Sequence, residues 1–446
     1  MDKYIVHDKE LSRADALVLK TLEADIKDVA AKGPVANGNG HTKSANGPAD
    51  SADGDGIISE DEVIRDEAAL STLSSWNDPT SANFEPAVFN TWDLSSLGKL
   101  PPVLDRLLKS YIELGKSIVR VETDVVFVTH LILYFTTSVP SALWLFHHFS
   151  WWHGVMHTVM QVSFTGGYTL MMHQHIHGRG VLNKSYAWFD LIFPYVLDPL
   201  MGHTWNSYFY HHVKHHHVEG NGPDDLSSTI RHQRDSLFHF LQYVGRFYFF
   251  IWFDLPGYFL RKNRPMLAAK AAFWEFSSYA LQYTMWKLNW RAAIFVFLLP
   301  LVIMRFGLMI GNWGQHALVD RDEPDSDYRS SITLIDVPSN RYCFNDGYHT
   351  SHHLNPLRHW RDHPAAFLKA KHTYASNGAL VFHNIDYLMM TVTLLRKDYM
   401  HLAKCMVPIG EAQIRMTLEE RAEMLKRHTT AFTEEEIKAK YGKKAE

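Results

Sequence analysis

Apolar and polar positions change character several times along the chain. Residues 11–31 mix apolar and charged side chains at helical spacing, which predicts a short N-terminal surface helix. The stretch 32–55 is crowded with Gly, Asn, Ala, Ser and Asp and can bury too little to offset ordering entropy, so 32–62 reads as a flexible acidic linker. Residues 63–124 read as a cytosolic and interfacial region. Within it, Leu104, Leu107, Leu108, Tyr111, Ile112 and Ile118 are helix-spaced among basic residues, predicting an amphipathic helix over 101–122 that suits a membrane surface.

No Asp, Glu, Lys or Arg occurs from 125 to 178, and a crossing needs roughly 20 residues. Two crossings are therefore expected, at 125–146 with a kink at Pro140, and at 153–172. Asp190, Pro194 and Asp198 interrupt 185–200 and make it an interfacial piece. The aromatic stretch 238–260 carries Arg246 and Asp254 and reads as a partly embedded or surface helix. Apolar segments 271–288 and 292–310, separated by Asn289-Trp-Arg291, predict a second hairpin. Glu275, Lys287 and Arg305 fall inside or beside it, where charge is costly unless paired or snorkelled. The expected fold class is all-α integral membrane, with four transmembrane helices and a cytosolic histidine-rich catalytic cap. The catalytic domain spans 125–383, and a cytosolic helical tail with an amphipathic helix at 418–427 spans 384–446.

A net charge of -4, with no finger, P-loop or Rossmann fingerprint, gives no support to nucleic-acid binding. Two cysteines, Cys343 and Cys405, cannot build a disulfide framework or a thiolate cluster. Asp53, Asp55, Gly56, Ile58 and Glu62 match the register of a calcium loop, but Ser51 holds its first ligand position and no helix enters it, so an acidic linker is the better reading.

Histidine is the outlier at 28 residues. In His173-Gln-His-Ile-His177 the outer pair shares one helix face, whereas His175 points elsewhere. In His211-His-Val-Lys-His-His-His217, helical spacing converges His212, His215 and His216, with His211 and His217 permitting other registers. His349-Thr-Ser-His-His353 repeats HxxHH through His349, His352 and His353, and Asn312-Trp-Gly-Gln-His316 ends the fourth crossing. Nine nitrogen ligands, His173, His177, His212, His215, His216, His316, His349, His352 and His353, suffice for two metal ions, with Asn312 completing a shell directly or indirectly. Imidazole alone admits iron, zinc, copper or nickel. Scattered histidines such as His147, His148, His153, His157, His232 and His239 read as solvated, and His359, His363, His372 and His383 as packing or loop residues.

The ordered HxxxH, HxxHH and HxxHH motifs resemble the membrane fatty acid desaturase superfamily over 125–364. The resemblance implies a non-haem diiron centre at the cytosolic membrane face, using molecular oxygen as co-substrate. The NxxxH element is similar to that of acyl-CoA desaturases, where the asparagine acts through a water and the histidine is a ligand. It implies a fatty-acyl or lipid substrate and introduction of a carbon-carbon double bond. Related histidine-box enzymes hydroxylate lipids or alkanes, and a non-catalytic membrane metal-binding protein is a third reading. The short first motif, the dense histidine run and the 238–260 segment depart from the family pattern. No HPGG haem motif or reductase fingerprint occurs, so the resemblance implies an external donor, cytochrome b5 with its NAD(P)H-dependent reductase, or ferredoxin in another compartment. Lys443-Lys444-Ala445-Glu446 resembles a dilysine endoplasmic-reticulum retrieval signal, which would place both termini in the cytosol.

Overall fold

The computed structural model describes residues 11–31, 59–335 and 337–442. Most of the calcium-loop-like stretch and the terminal retrieval-like motif lie outside them. Glu62, its last position, is described: it lies in a helix and pairs with Lys371 at 2.9 Å.

Among the described residues, nine long helices precede the site's last histidine cluster. They are α1 (Arg13–Ala31), α2 (Glu60–Asn77), α3 (Pro102–Ile118), α4 (Val125–His147), α5 (Trp151–Gly178), α6 (Ala187–Leu200), α7 (Leu237–Arg261), α8 (Pro265–Leu288) and α9 (Trp290–His316). Among the described residues, two helices combine the length and hydropathy needed to cross a bilayer, Glu122–His147 and Trp290–His316. At 28 and 24 residues, α5 and α8 are also long enough, but polar side chains such as His153, His157 and Gln161 in α5 and Lys270, Glu275 and Lys287 in α8 dilute their hydropathy. The charges expected inside the second hairpin find two fates: Glu275 and Arg305 pair at 2.5 Å, while Lys287 is exposed at the end of α8. His153 and His157, read from sequence as solvated, instead share the Ser141 hydroxyl at 2.9 and 2.8 Å, and His157 is buried.

Helix α3 leaves Leu104, Leu107 and Leu114 exposed, as an amphipathic surface helix does, and is tied to α4 by a Tyr111–Thr129 hydroxyl contact of 2.7 Å. One core joins α4 to α5 and α6 through Phe127, Leu131, Tyr134, Tyr168, Phe193 and Leu197. A second surrounds the fully buried Trp313 of α9 with Phe240, Tyr243, Met309, Met390 and Phe382.

The exclusively helical expectation is corrected by one small sheet. Strands β1 (Ile332–Ile335) and β2 (Leu380–His383) pair in parallel, with Ile332 opposite Leu380. Both are buried four-residue segments with three apolar residues each, too short for a helix and suited to a strand covered on both faces. The sheet supports the loop before α10 (His349–Leu354): Gly347 O accepts from Leu334 N at 2.7 Å. Helix α1 closes the same region, with Asp15 accepting from Tyr348 Oη at 2.6 Å and Asn340 Nδ2 at 2.9 Å.

The C-terminal tail is fastened by Arg234. Its fully buried guanidinium donates to six carbonyls: Thr229, Ile230 and His232 of its own loop, Ala317 at the end of α9, and His428 and Thr430 of the tail. A buried carbonyl left without a donor costs about 1–3 kcal/mol. Arg234→Met should therefore cost several kcal/mol, read as a large fall in the thermal unfolding midpoint of detergent-solubilised protein. Arg234→Lys, with three donors and no planar fork, should recover only part of it.

Candidate metal centre

The C-terminal end of α5 supplies His173 and His177 from one helix face. The next cluster lies on a π-helical segment, Phe209–His216, whose final turn closes with His217 N donating to His212 O. That five-residue spacing carries His212 and His217 to one face, and their Nε2 atoms lie 3.1 Å apart. Helix α10 supplies His349, His352 and His353, and α9 ends on His316.

These residues form two buried nitrogen groups, each with its ligand atoms within 4.8 Å of one another: His173, His177, His212 and His352 in one, His216, His316, His349 and His353 in the other. The groups adjoin. His217 Nε2 is 2.8 Å from His352 Nε2, and its ring centroid is 5.1 Å from that of His353. Eight of the nine histidines chosen from sequence are thus brought together. The ninth, His215, is not: its Nε2 accepts the Leu226 amide at 2.9 Å, leaving no lone pair there for a metal. His217 takes the place beside His212 that α-helical spacing assigned to His215. His175 faces away and bonds Asp190 O at 3.0 Å.

Neighbouring groups fix the tautomers. His316 Nδ1 donates to Ser330 O and His216 Nδ1 to Asp225 Oδ2, each at 2.7 Å, so both present an unprotonated Nε2 to the second group. Asp225 is itself held by the Asn221 and Ser227 amides and the Ser227 hydroxyl. Burial works to raise its carboxyl, but His216 and His215 outweigh it and hold the group well below the usual carboxylate range. Burial, reinforced by neighbouring imidazoles, lowers His212, His217, His349, His352 and His353, keeping them neutral as metal ligands must be. His363, whose Nδ1 meets Ser351 Oγ at 2.9 Å, is pushed down to about 3 by burial and packs behind His352.

The geometry fits metal ions. Five Nε2···Nε2 contacts of 2.8 to 3.1 Å join these rings, a spacing at which bare lone pairs repel unless a proton or cation lies between them. His177 Nε2 is buried without any protein hydrogen-bond partner. By contrast, the Glu62, Asp66 and His372 group already encloses the Lys371 ammonium, 2.9 Å from Glu62 and 2.7 Å from Asp66. His359 is engaged by Asp124 at 2.8 Å, and His383 lies in β2 and belongs to neither group.

Asn312 lines a cavity of about 600 Å³ together with His173, His212, His216 and His349. Its Nδ2 donates to Ser227 O at 2.9 Å and meets Tyr243 Oη at 2.6 Å. A carbonyl only accepts, so the amide is oriented with its own oxygen free of these contacts. Sequence reasoning held His217 only as an alternative register and missed Asp225 and Tyr208, whose hydroxyl is 3.3 Å from His173 Nδ1. The acid in Gly222-Pro-Asp-Asp225, shortly after the histidine run, was the available signal for Asp225.

Two adjoining all-imidazole groups able to hold metal ions thus lie beside a cavity, in a mostly helical chain with two helices long and apolar enough to cross a bilayer. The fatty acid desaturase family matches residues 127–384, more than half of the chain, and the chain belongs to that family. Its members are typically diiron oxidoreductases. None of the curated proteins matches the chain significantly.

Proposed function

We propose that this protein is an oxygen-dependent lipid desaturase, inserting a double bond into a fatty-acyl chain held in the cavity beside the two histidine groups. The adjoining nitrogen pockets at one end of that cavity carry this reading. Two iron ions are the proposed occupants, one held by His173, His177, His212 and His352 with His217 beside them, the other by His216, His316, His349 and His353. Bound iron supplies the capacity to reduce oxygen and remove hydrogen from an unactivated methylene. Asn312, which lines the same cavity, is the proposed water-mediated partner of the metal site through its amide oxygen.

The chain's own residues do the rest. Phe247, Ile251, Leu255, Leu308 and Met309 wall the cavity and exclude water from the alkyl chain. The balance is two hydrogens lost by the substrate and two electrons and two protons supplied from outside, reducing one oxygen molecule to two waters. The electrons are assigned to an external donor, cytochrome b5 and its reductase at the endoplasmic reticulum.

Four crossings, by α4, α5, α8 and α9, are part of the proposal. Both hairpin turns lie at one end of the bundle, where Trp151 meets Trp290 at 6.5 Å and Trp290 meets Trp286 at 6.2 Å, the tryptophan clustering expected at a membrane interface. Outward-facing Ile132, Leu143, Val159, Phe273, Phe276 and Val302 lie between those turns and the histidines.

The test is expression with a panel of fatty-acyl lipids and a matched electron donor, followed by product mass spectrometry. Loss of two hydrogens is expected. Gain of one oxygen would assign hydroxylation instead, and bound iron without turnover across a broad panel would favour a metal-binding role.

A further inference from the structure

Glu275 of α8 and Arg305 of α9 lie deep in the helical bundle, 5% and 8% exposed, and both line the cavity. Glu275 is fully engaged. Its Oε2 accepts from Thr204 Oγ1 at 2.6 Å and Ser207 Oγ at 2.5 Å, and its Oε1 accepts from Arg305 and Tyr279. Arg305 is not: a guanidinium carries five N–H donors, and its only protein partners among the described residues are Glu275 and Tyr279. Those two contacts leave at least three of its five N–H groups without a protein acceptor among the described residues, and the side chain borders the cavity. A donor facing an apolar cavity needs an acceptor, because leaving it bare in hydrocarbon is costly.

The position is informative. Arg305 precedes Asn312 by seven residues on α9, which is about 10 Å along the helix axis. Helix α9 therefore carries the guanidinium at one level of the cavity lining and Asn312 two turns further on. The charge state narrows the ligand: Glu275 already neutralises Arg305, so a carboxylate would add an uncompensated negative charge, whereas a neutral carbonyl or hydroxyl oxygen would not.

We propose that Arg305 is a substrate-binding residue, its free N–H groups donating to a neutral oxygen of the lipid, an ester or amide carbonyl or a hydroxyl, about 10 Å along the cavity from Asn312. Glu275 is a positioning residue that holds the guanidinium toward the cavity. The hydrogen bond sets the depth of the chain and so selects the methylene beside the histidines. That last consequence rests on the desaturase reading, whereas the binding itself does not.

The experiment is equilibrium binding of tritiated methyl hexadecanoate to the full chain in detergent micelles, competed by unlabelled 1-hexadecanol, hexadecane and hexadecanoate. 1-Hexadecanol should compete at least ~10-fold better than hexadecane, the size of one well-made hydrogen bond to a charged donor. In Glu275→Gln/Arg305→Met, which removes both charges together, that preference should vanish. In Arg305→Lys, which keeps the pair with Glu275 but loses the fork, it should shrink. Equal competition by hexadecane and 1-hexadecanol in the unaltered protein overturns the proposal, whether or not the variants fold. Hexadecanoate competing best would overturn the neutral-oxygen assignment. Binding is read without turnover, so a discriminating but inactive protein would sink the desaturase reading alone, and an active protein without discrimination would sink this one alone.

Discussion

His217→Ala should lower bound iron from two atoms per chain toward one and reduce turnover by more than ~100-fold, beyond the range reached by changes behind a ligand. His215→Ala should keep both metals. The contrast follows from the π-helical segment. His217 Nε2 stands 3.1 Å from that of His212 and 2.8 Å from that of His352, while His215 Nε2 is occupied by the Leu226 amide. Removing His215 leaves that amide without its partner and costs about 1–3 kcal/mol of stability, with no loss of a ligand. Metal analysis of the two purified variants decides the matter. Metal lost from His215→Ala and retained in His217→Ala would restore the α-helical assignment.

Asp225→Asn should weaken iron retention by about 10–100-fold, measured as release to a chelator over time. The carboxylate accepts the His216 Nδ1 proton at 2.7 Å, fixing the ring with Nε2 toward His316 and His353. An amide offers a weaker acceptor and lets the ring reorient. Asp225→Ala would also leave His216 and the Asn221 and Ser227 amides without a partner, a loss of about 3–5 kcal/mol by analogy with breaking a buried ion pair. The pH dependence has a definite sign. The folded carboxyl lies well below its ordinary value of 3.8, so its stabilisation is present above that pH and is lost only as the pH falls through the folded value. The asparagine variant lacks that acid-labile contribution altogether, so the two unfolding profiles should converge at low pH.

The histidines gathered in the candidate site were largely legible in the sequence because such a cluster uses one residue type, and histidine repeated at short spacing survives any ignorance of the fold. His173 with His177, and His349 with His352 and His353, lie on α-helices, where the 3.6-residue period holds. The second cluster failed where the period failed. Nothing in Tyr-His-His-Val-Lys-His-His-His announces a π-helix, which turns His212 and His216 toward different groups and brings His217 beside His212. Asp225 and Ser330 were invisible because their contribution depends on loops returning to the histidines from outside the motifs. The first helix pair was readable from charge depletion at 125–178 and the second from its two apolar segments about Asn289-Trp-Arg291, whereas the pairing of Glu275 with Arg305 spans two helices and has no local signature. The two short strands escaped because four residues are too few to display a period of their own.

The Arg234 contacts give the chain's far end an unexpected duty. Because one side chain grips Ala317, next to His316, and His428 and Thr430 with the same fork, the last helices act as a strut under the metal pocket. A tag or truncation that displaces residues 428–441 is then felt at His316. Comparisons of activity between differently tagged preparations would report the integrity of that strut as much as the chemistry.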